Sequence, residues 1–497
     1  MTFRRIAGWL ATTVAAGAVW IGLSAPAQAI PVFARQTGHN CQACHISYPE
    51  LTAYGREFKL NGYTFGEAQP IPLAAAIMGE VDHLSQPTDA ASGAPECSSS
   101  GGSNSHVPCN HSQLVQYSVF FGGRLSENLG MFGQMSGTEF PIAAGGSAPP
   151  GSFAPTADNT EVRYVHRFST DGGLEPDAVF GINVNNNPTM QDVWNAVPAW
   201  RFPWFPYMAA GFGPAAAPYI DNPSGGHNKV GMGAYLWLHK TWYAELELYR
   251  AATGVVSFFN WGNGGTLANM GDQPSDVLKG YNPYYRLAWS HDWGYNSIEV
   301  GLFGLNAKTL NCNSGGVTAL MTGNPPAPIP CATATDATNK YTDTAIDFQY
   351  QYNKGDPWVI SAAGSYIHEK ADLSSLAVSY AAAGTPLSVT SHNLNELNIK
   401  GTAYYNRMYG VSLGYSMLSG TSDGPLYGQG GDGGSATGSP ASNWWTLELN
   451  YLPMQNLRFS VLYQNFSKIN GGGSNFDGLG NNASGQNRLT GAIWWVF

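Results

Sequence analysis

Five consecutive residues carry the most specific chemistry in the chain: Cys41, Gln42, Ala43, Cys44 and His45. A c-type haem needs two thiols to bond its vinyl groups and one imidazole to ligate its iron, and this spacing supplies all three. A zinc site or a redox dithiol uses similar residues, but zinc needs a fourth ligand at motif spacing and none follows. The sequence therefore predicts one covalent c-type haem, attached through Cys41 and Cys44, with His45 as the proximal iron ligand.

The N-terminal segment has the features of an export signal. Two arginines precede an apolar run over residues 6–23, and a small-residue cleavage site ends at Ala29. The interpretation is a signal peptide at residues 1–29, with an uncleaved membrane anchor as the alternative. Export agrees with the motif, because it takes the chain to the compartment where this haem is attached.

The composition indicates a strand-rich chain outside the usual soluble class. Only 11% of the residues are charged, against about 25% in a typical globular domain. Glycines number 61, and aromatic residues make up 13% of the chain. The net charge of −10 argues against nucleic acid as a partner.

Residues 30–70 form the predicted haem segment, which is expected to be a short helical stretch. Ser47 and Glu50 have capping-box spacing, so a helix is expected to start at this point. Gly62 is a suitable residue to end it. About forty residues lie near the lower limit for a domain that folds alone, so the rest of the chain must cover the haem.

Two basic residues of this segment are candidate contacts for the haem propionates. Arg56 and Lys59 lie off the apolar face of the expected helix. They could pair with the propionates, or they could be solvated surface charges. The residues alone leave both interpretations open.

From residue 71 to 497 the chain breaks into segments of about ten residues that alternate apolar and polar side chains, the pattern of a membrane barrel. The predicted fold is all-β, a transmembrane outer-membrane barrel of about sixteen antiparallel strands, with the helical haem segment in or at its lumen. The predicted strands are 73–84, 113–124, 130–139, 159–169, 177–186, 230–240, 241–251, 282–292, 295–306, 342–353, 357–368, 393–407, 409–419, 442–452, 456–467 and 486–497.

The connections between these strands alternate in length. Short turns follow the even-numbered strands and long Gly/Ser/Pro/Asn loops follow the odd-numbered ones, as in bacterial outer-membrane barrels with short periplasmic turns. The last strand ends on Phe497, which is typical of chains handed to the outer-membrane assembly machinery. The predicted location is the bacterial outer membrane, surrounded by its lipid, with the haem segment on the periplasmic side or in the lumen.

The other four cysteines form two close pairs in predicted external loops. In an exported protein, the pairs Cys97–Cys109 and Cys312–Cys331 predict local disulfides, with free thiols as the alternative.

Met78 is the candidate distal ligand of the haem iron. On the first strand, Leu73, Ile77 and Val81 form the predicted lipid-facing set, so that Met78 faces inward with several small residues. A Met/His pair raises the haem potential, but a methionine that only fills a gap is the alternative. His39 is too near the motif to reach the far face easily, His83 has the opposite parity, and an open sixth site is a further alternative.

Several carboxylates share the inward parity and could attract cations, although ordinary porins also line their lumens with charge. They are Glu80, Asp82, Glu245, Glu247, Asp343 and Asp347.

The haem segment resembles that of the fused monohaem cytochrome c–porins of the outer membrane. The resemblance covers about forty residues: Pro31-Val32-Phe33-Ala34-Arg35-Gln36-Thr37-Gly38, the haem motif, Pro49, Leu51-Thr52, Gly55-Arg56, Phe58-Lys59 and Gly62-Tyr63. The best-known members are iron-oxidising outer-membrane c-type cytochromes. They accept electrons from extracellular Fe(II) and pass them to periplasmic carriers. The resemblance assigns that chemistry here to Cys41, Cys44 and His45.

The expected function is therefore oxidoreductase-like: electrons pass from extracellular Fe(II) through a single haem to a periplasmic cytochrome or copper protein. One alternative is a solute porin whose haem segment is a redox-sensitive plug. Another is an electron conduit with a different donor or the opposite direction. Reduction of the haem by Fe(II) would separate the first from the second.

Overall fold

The computed structural model describes residues 31–85, 109–137, 156–169, 176–197, 217–221, 229–252, 254–260, 276–311, 338–355, 357–428 and 434–497. Its main feature is one antiparallel sheet in which each strand pairs with the next along the chain. The last strand pairs with the first, from Arg488↔Leu84 to Val496↔Ala76, so the sheet closes into a barrel. The predicted signal peptide lies outside the described residues.

The barrel has sixteen long strands, so the predicted strand number is confirmed. The sheet also contains a short additional strand, Asp276–Leu278, which pairs with the ninth strand. The sixteen are β1 Leu73–Leu84, β2 Cys109–Arg124, β3 Leu129–Gly137, β4 Thr156–Phe168, β5 Ala178–Asn185, β6 Lys229–Leu238, β7 Trp242–Ala251, β8 Asn282–Trp293, β9 Asn296–Asn311, β10 Asn339–Asn353, β11 Trp358–Asp372, β12 Ser391–Tyr405, β13 Tyr409–Gly420, β14 Ser442–Met454, β15 Leu457–Lys468 and β16 Arg488–Val496.

Alternation along each strand divides the wall into two chemically different faces. On β7, Trp242, Leu246 and Leu248 are exposed on the outside, whereas Glu245 and Glu247 are buried in the lumen. The other strands repeat this arrangement, and the lipid-facing and inward sets predicted for β1 are confirmed. An apolar exterior around a charged interior is the arrangement of a transmembrane barrel.

The two ends of the barrel differ in the length of their connections. Three residues separate β6 from β7 and three separate β12 from β13. The pairs His239–Lys240 and Asn406–Arg407 have positive φ angles, as tight hairpin turns require. Long connections follow the odd-numbered strands, as predicted. No helix in the described part of the chain is long and apolar enough to cross a membrane.

Residues 31–70, here called the plug, fold inside the lumen at the short-turn end. The plug contains α1 Val32–Thr37, α2 Cys41–Cys44, a hairpin of His45–Ser47 with Glu50–Leu51, and α3 Ala53–Leu60. Two further helices, α4 Ser374–Ala382 and α5 Gly424–Tyr427, lie in connections at the opposite end. The predicted placement of the segment in the lumen agrees with this geometry.

The predicted start of the plug helix is wrong, whereas its predicted end is confirmed. Ser47 and Glu50 belong to the hairpin, and Thr52 caps α3 by accepting a hydrogen bond from the Gly55 amide. Glu50 does not cap a helix, because its carboxylate forms a buried ion pair with the amino group of Lys400 on β12. The two charged groups are 2.8 Å apart. Gly62 follows the last turn with a φ of 67°, which a glycine adopts without strain.

Polar side chains of the wall hold the plug on several sides. Gln349 and Gln351 of β10 accept hydrogen bonds from Arg56, and Arg458 of β15 donates to the Tyr48 carbonyl. We call Gln349, Gln351, Lys400 and Arg458 the polar sector of the wall. Breaking a buried ion pair such as Glu50–Lys400 by removing one partner costs about 3–5 kcal/mol, so this sector fixes where the plug lies.

Candidate functional site

Cys41 and Cys44 lie in a single helical turn whose backbone is fixed by its neighbours. Asn40 caps α2 by accepting a hydrogen bond from the Ala43 amide, 3.1 Å away. Thr52 then closes the segment, because its amide donates to the Cys44 carbonyl at 2.9 Å and its hydroxyl donates to the Ala43 carbonyl at 2.5 Å. The two thiols are therefore presented from a rigid turn.

Helix α3 packs against this turn at a glycine. A Cβ placed on Gly55 would lie 2.2 Å from the carbonyl oxygen of Cys44, so only glycine allows the observed approach. Thr52 stabilises the same contact, since it both caps α3 and binds the α2 turn. The spacing between the cysteine pair and Gly55 thus follows from a direct backbone contact.

The two cysteines and His45 border one cavity of about 240 Å³ between the plug and the barrel wall. The plug contributes mainly aromatic and aliphatic side chains, among them Phe33, Phe58 and Leu51. The wall contributes a set that we call the apolar sector, drawn from β16, β1, β2 and β3: Ala74, Phe120, Phe132, Trp494 and Val496. The wall therefore supplies the apolar cover that forty residues of plug cannot provide.

The donor set at this cavity fits a c-type haem. Cys41 and Cys44 are both free thiols, and burial raises the pKa of the Cys44 thiol to about 11. Burial lowers the pKa of His45 to about 4, with the backbone of Pro49 and Glu50 opposing part of that effect. The imidazole is therefore neutral at ordinary pH, which is the form that ligates iron. Its Nδ1 is buried without a hydrogen-bond partner of normal geometry among the described residues.

An aromatic contact runs from His45 to the barrel wall. The rings of His45 and Tyr48 lie 5.2 Å apart between centroids, and those of Tyr48 and Trp494 lie 5.8 Å apart. The Tyr48 hydroxyl donates to the Gln455 carbonyl at 3.0 Å, in the turn between β14 and β15. The histidine is therefore held by packing that reaches the short-turn end of the wall.

Of the two basic residues predicted to contact the haem propionates, Lys59 borders the cavity and Arg56 does not. Lys59 borders the cavity, where its amino group donates to the Met190 carbonyl and lies 3.6 Å from Glu161. Arg56 points away from the cavity into the polar sector and also binds Ser297 on β9 at 2.5 Å. Burial lowers the pKa of both groups, and nearby carboxylates oppose the effect. Propionate contact stays a prediction for both residues, and the geometry favours Lys59.

Met78 lies inward on β1, as predicted, but not on the cavity. Its side chain is 0% exposed and packs in a cluster with Val115, Leu462 and Trp494. Among the other histidines considered, His39 borders the cavity and is exposed at its edge, whereas His83 faces outward. A distal-ligand role for Met78 stays a prediction that this packing does not favour.

A loop that folds back into the lumen contributes residues that the sequence interpretation missed. Residues 186–197 leave β5 and return inward, so that Met190, Asp192 and Asn195 border the cavity. Trp194 is buried, and its carbonyl accepts a hydrogen bond from Gln349 at 3.3 Å. The sequence feature that indicates an inward fold of this loop is the pair Val193-Trp194, because two large apolar residues are unusual in a loop expected to face solvent.

The two disulfides predicted from the sequence are not tested by the structure. The predicted disulfides Cys97–Cys109 and Cys312–Cys331 lie outside the described residues, since only the backbone of Cys109 is described.

The inward carboxylates are buried in the lumen as predicted, but no group of three or more His, Cys, Asp or Glu side chains in the described ranges could hold a metal ion.

No protein-family model and no curated protein matches the chain. Among solved structures, similar chains include OprB of Pseudomonas putida, with 11% identity and a TM-score of 0.44 over 89% of this chain and 96% of that chain. The outer membrane channel DcaP of Acinetobacter baumannii has 11% identity and a TM-score of 0.43, over 86% and 97%. An anion-selective porin from Comamonas acidovorans has 12% identity and a TM-score of 0.40, over 86% and 99%. Likeness at this level gives no information on the function of this chain.

Proposed function

We propose that this chain is an electron-transfer protein of the bacterial outer membrane that carries one c-type haem. The haem is attached through Cys41 and Cys44, and His45 is its proximal ligand. One observation carries the proposal: these three residues border a single cavity whose far side is the apolar sector of the barrel. A covalent cytochrome site on a segment too short to enclose it needs such a wall.

The residues around the cavity have separate tasks in this proposal. The turn held by Asn40 and Thr52 keeps the two thiols in place. The half-buried His45 is neutral at ordinary pH, because its pKa is lowered to about 4, so it is ready to ligate iron without first losing a proton. The apolar sector covers one side of the cavity with aliphatic and aromatic side chains. A bound haem would supply one-electron transfer, a chemistry that none of these side chains performs alone.

The donor that we propose is extracellular Fe(II), and the acceptor is a periplasmic cytochrome or copper protein. The plug occupies the short-turn end of the barrel, which is the periplasmic end in bacterial outer-membrane barrels. Inward-facing carboxylates, including Glu245 and Glu247, are buried inside the barrel, and Asp347 is paired there with Arg286 at 2.7 Å. Electrons pass inward in this arrangement, while iron stays outside the cell.

The test uses the full-length protein, purified in detergent without air. Covalent haem is measured by haem staining on a denaturing gel, with Cys44→Ala as the variant that should lose the second thioether bond. Fe(II) is then added, and the α-band is followed at several pH values. We expect rapid reduction of the haem by Fe(II).

Three results would contradict the proposal. Absence of covalent haem from the mature chain would remove the cofactor from the mechanism. A haem that Fe(II) does not reduce, in a protein that passes solutes across liposomes, would favour the alternative of a solute porin with a haem-bearing plug. Reduction by another donor with no response to Fe(II) would favour a conduit of different specificity.

A further inference from the structure

Met190 is a thioether that borders the same cavity as the two cysteines and His45. It lies in the inward loop of residues 186–197 rather than on a strand. Its side chain is half-buried, so it has a surface toward open space. A sixth ligand must meet this requirement, because a donor that is packed on every side cannot approach a metal.

The other candidate donors at the cavity are engaged or poorly placed. Tyr63 donates its hydroxyl to Glu161 at 3.0 Å, and Lys59 is bound to Glu161 and to the Met190 carbonyl. The Lys59 amino group also lies 3.8 Å from the Met190 sulfur, which is only a weak acceptor. His39 is exposed at the edge, only two residues before Cys41. Met78 has no exposed surface at all.

The loop that carries Met190 is held by several contacts just after the methionine. Arg163 on β4 donates to the carbonyl of Gln191 at 2.6 Å. The carboxylate of Asp192 accepts from the amides of Trp194 and Ala196, at 3.0 and 2.8 Å. The guanidinium of Arg286 lies over the Trp194 ring, 4.9 Å from its centroid. These contacts fix the loop, so a ligand on it starts near its final position.

We propose that Met190 is the distal axial ligand of the haem iron, an inference that rests on the proposed covalent haem. A thioether opposite His45 raises the haem potential relative to a second imidazole. A raised potential suits a protein that accepts electrons from Fe(II). The assignment also ties the cofactor to the barrel, because its two axial ligands come from the plug and from a wall loop.

The test compares Met190→Leu, Met190→His and the matched control Met78→Leu, each as full-length protein in detergent. Covalent haem is first measured on a denaturing gel, which tests the proposed cofactor separately. Heat-modifiable mobility reports whether each variant has a folded barrel. The readouts are the sulfur-to-iron charge-transfer band of the ferric protein and the haem potential.

We expect the band in the wild-type protein and in Met78→Leu, and its loss in Met190→Leu. Met190→His should keep a low-spin haem and have a lower potential than the wild type. Persistence of the band in Met190→Leu, or its absence from the haem-loaded wild type, would overturn the assignment. Loss of the band in Met78→Leu alone would move the assignment to Met78. A chain without covalent haem would instead contradict the proposed function itself.

Discussion

The apolar and polar sectors of the wall contact the same plug with opposite chemistry. The apolar sector, including Phe120 and Trp494, borders the cavity and makes no ion pair with the plug in the described residues. The polar sector, including Lys400 and Arg458, makes a buried ion pair and hydrogen bonds with it. The polar sector therefore fixes the plug, together with contacts from β2 and β4, and the apolar sector leaves an apolar space beside the cysteines.

This division explains how a short segment can carry a large cofactor. A segment of forty residues cannot both anchor itself and enclose a haem. Here the polar sector anchors the plug from β10, β12 and β15, with further polar contacts from β2 and β4, and the enclosing apolar groups lie on β16, β1, β2 and β3. Changes in one sector should therefore affect haem content, whereas changes in the other should affect docking of the plug.

A charge in the apolar sector should have the largest effect. Ala74→Glu places a carboxylate on the cavity wall without a partner, and burying such a group costs several kcal/mol. We expect the proposed haem to be lost from the folded barrel, measured as covalent haem per chain. Ala345→Glu is the matched control, because Ala345 is also buried but belongs to a different apolar cluster, away from the cavity. Equal haem content in the two variants would show that the apolar sector does not enclose the cofactor.

Breaking the ion pair of the polar sector should release the plug. Lys400→Met leaves the Glu50 carboxylate buried without its cation, at a cost of about 3–5 kcal/mol. Arg56 and Lys59 are buried trypsin sites within the plug, so cleavage there reports the undocked fraction. We expect cleavage to accelerate by about two to three and a half orders of magnitude.

The double variant Glu50→Gln with Lys400→Met provides the control for this measurement. It removes both charges, so the cleavage rate should return most of the way to the wild-type value. A double variant that is cleaved as fast as Lys400→Met would mean that the ion pair is not the source of the anchoring.

The Gly55 contact should have a smaller effect, because it concerns one turn of the plug. Gly55→Ala brings a methyl group against the Cys44 carbonyl, and overpacking of this kind costs about 1–3 kcal/mol. Trypsin cleavage should rise about 5- to 140-fold, since each 1.4 kcal/mol is a factor of ten. Gly401→Ala on β12 is the control, because a Cβ there meets open space. Matching rates for the two variants would rule out the close contact.

Most of the barrel was predictable, because alternation is a local pattern. Every predicted strand is present. Leu73, Ile77 and Val81 face the outside and Met78 faces the lumen, as the two-residue period of a strand predicts. The contacts of the plug were not predictable in this way. Glu50 and Lys400 are separated by 350 residues, and no local pattern reports such a pairing.

The candidate site was predictable only where its residues adjoin one another in the sequence. Cys41, Cys44 and His45 form a continuous motif, so their grouping needed no tertiary information. Met190 was missed because the Val193-Trp194 pair indicates only that its loop is partly buried, and not which part of the barrel the loop contacts. Arg56 contacts the polar sector rather than the cavity because its partners, Gln349 on β10 and Ser297 on β9, lie on that side of the wall.

Loss of the Thr52 hydroxyl should have the smallest effect on docking of the plug, because its hydrogen bonds lie within the plug and not with either sector of the wall. The hydroxyl caps α3 and also donates to the Ala43 carbonyl, so Thr52→Val removes two hydrogen bonds without changing either sector. Loss of a cap of this kind costs about 1 kcal/mol, so trypsin cleavage should rise about fivefold. Thr52→Ser keeps the hydroxyl and should restore the wild-type rate. If Ser and Val behave alike, the side chain acts through packing, and the turn that carries the cysteines depends on the sectors rather than on its own hydrogen bonds.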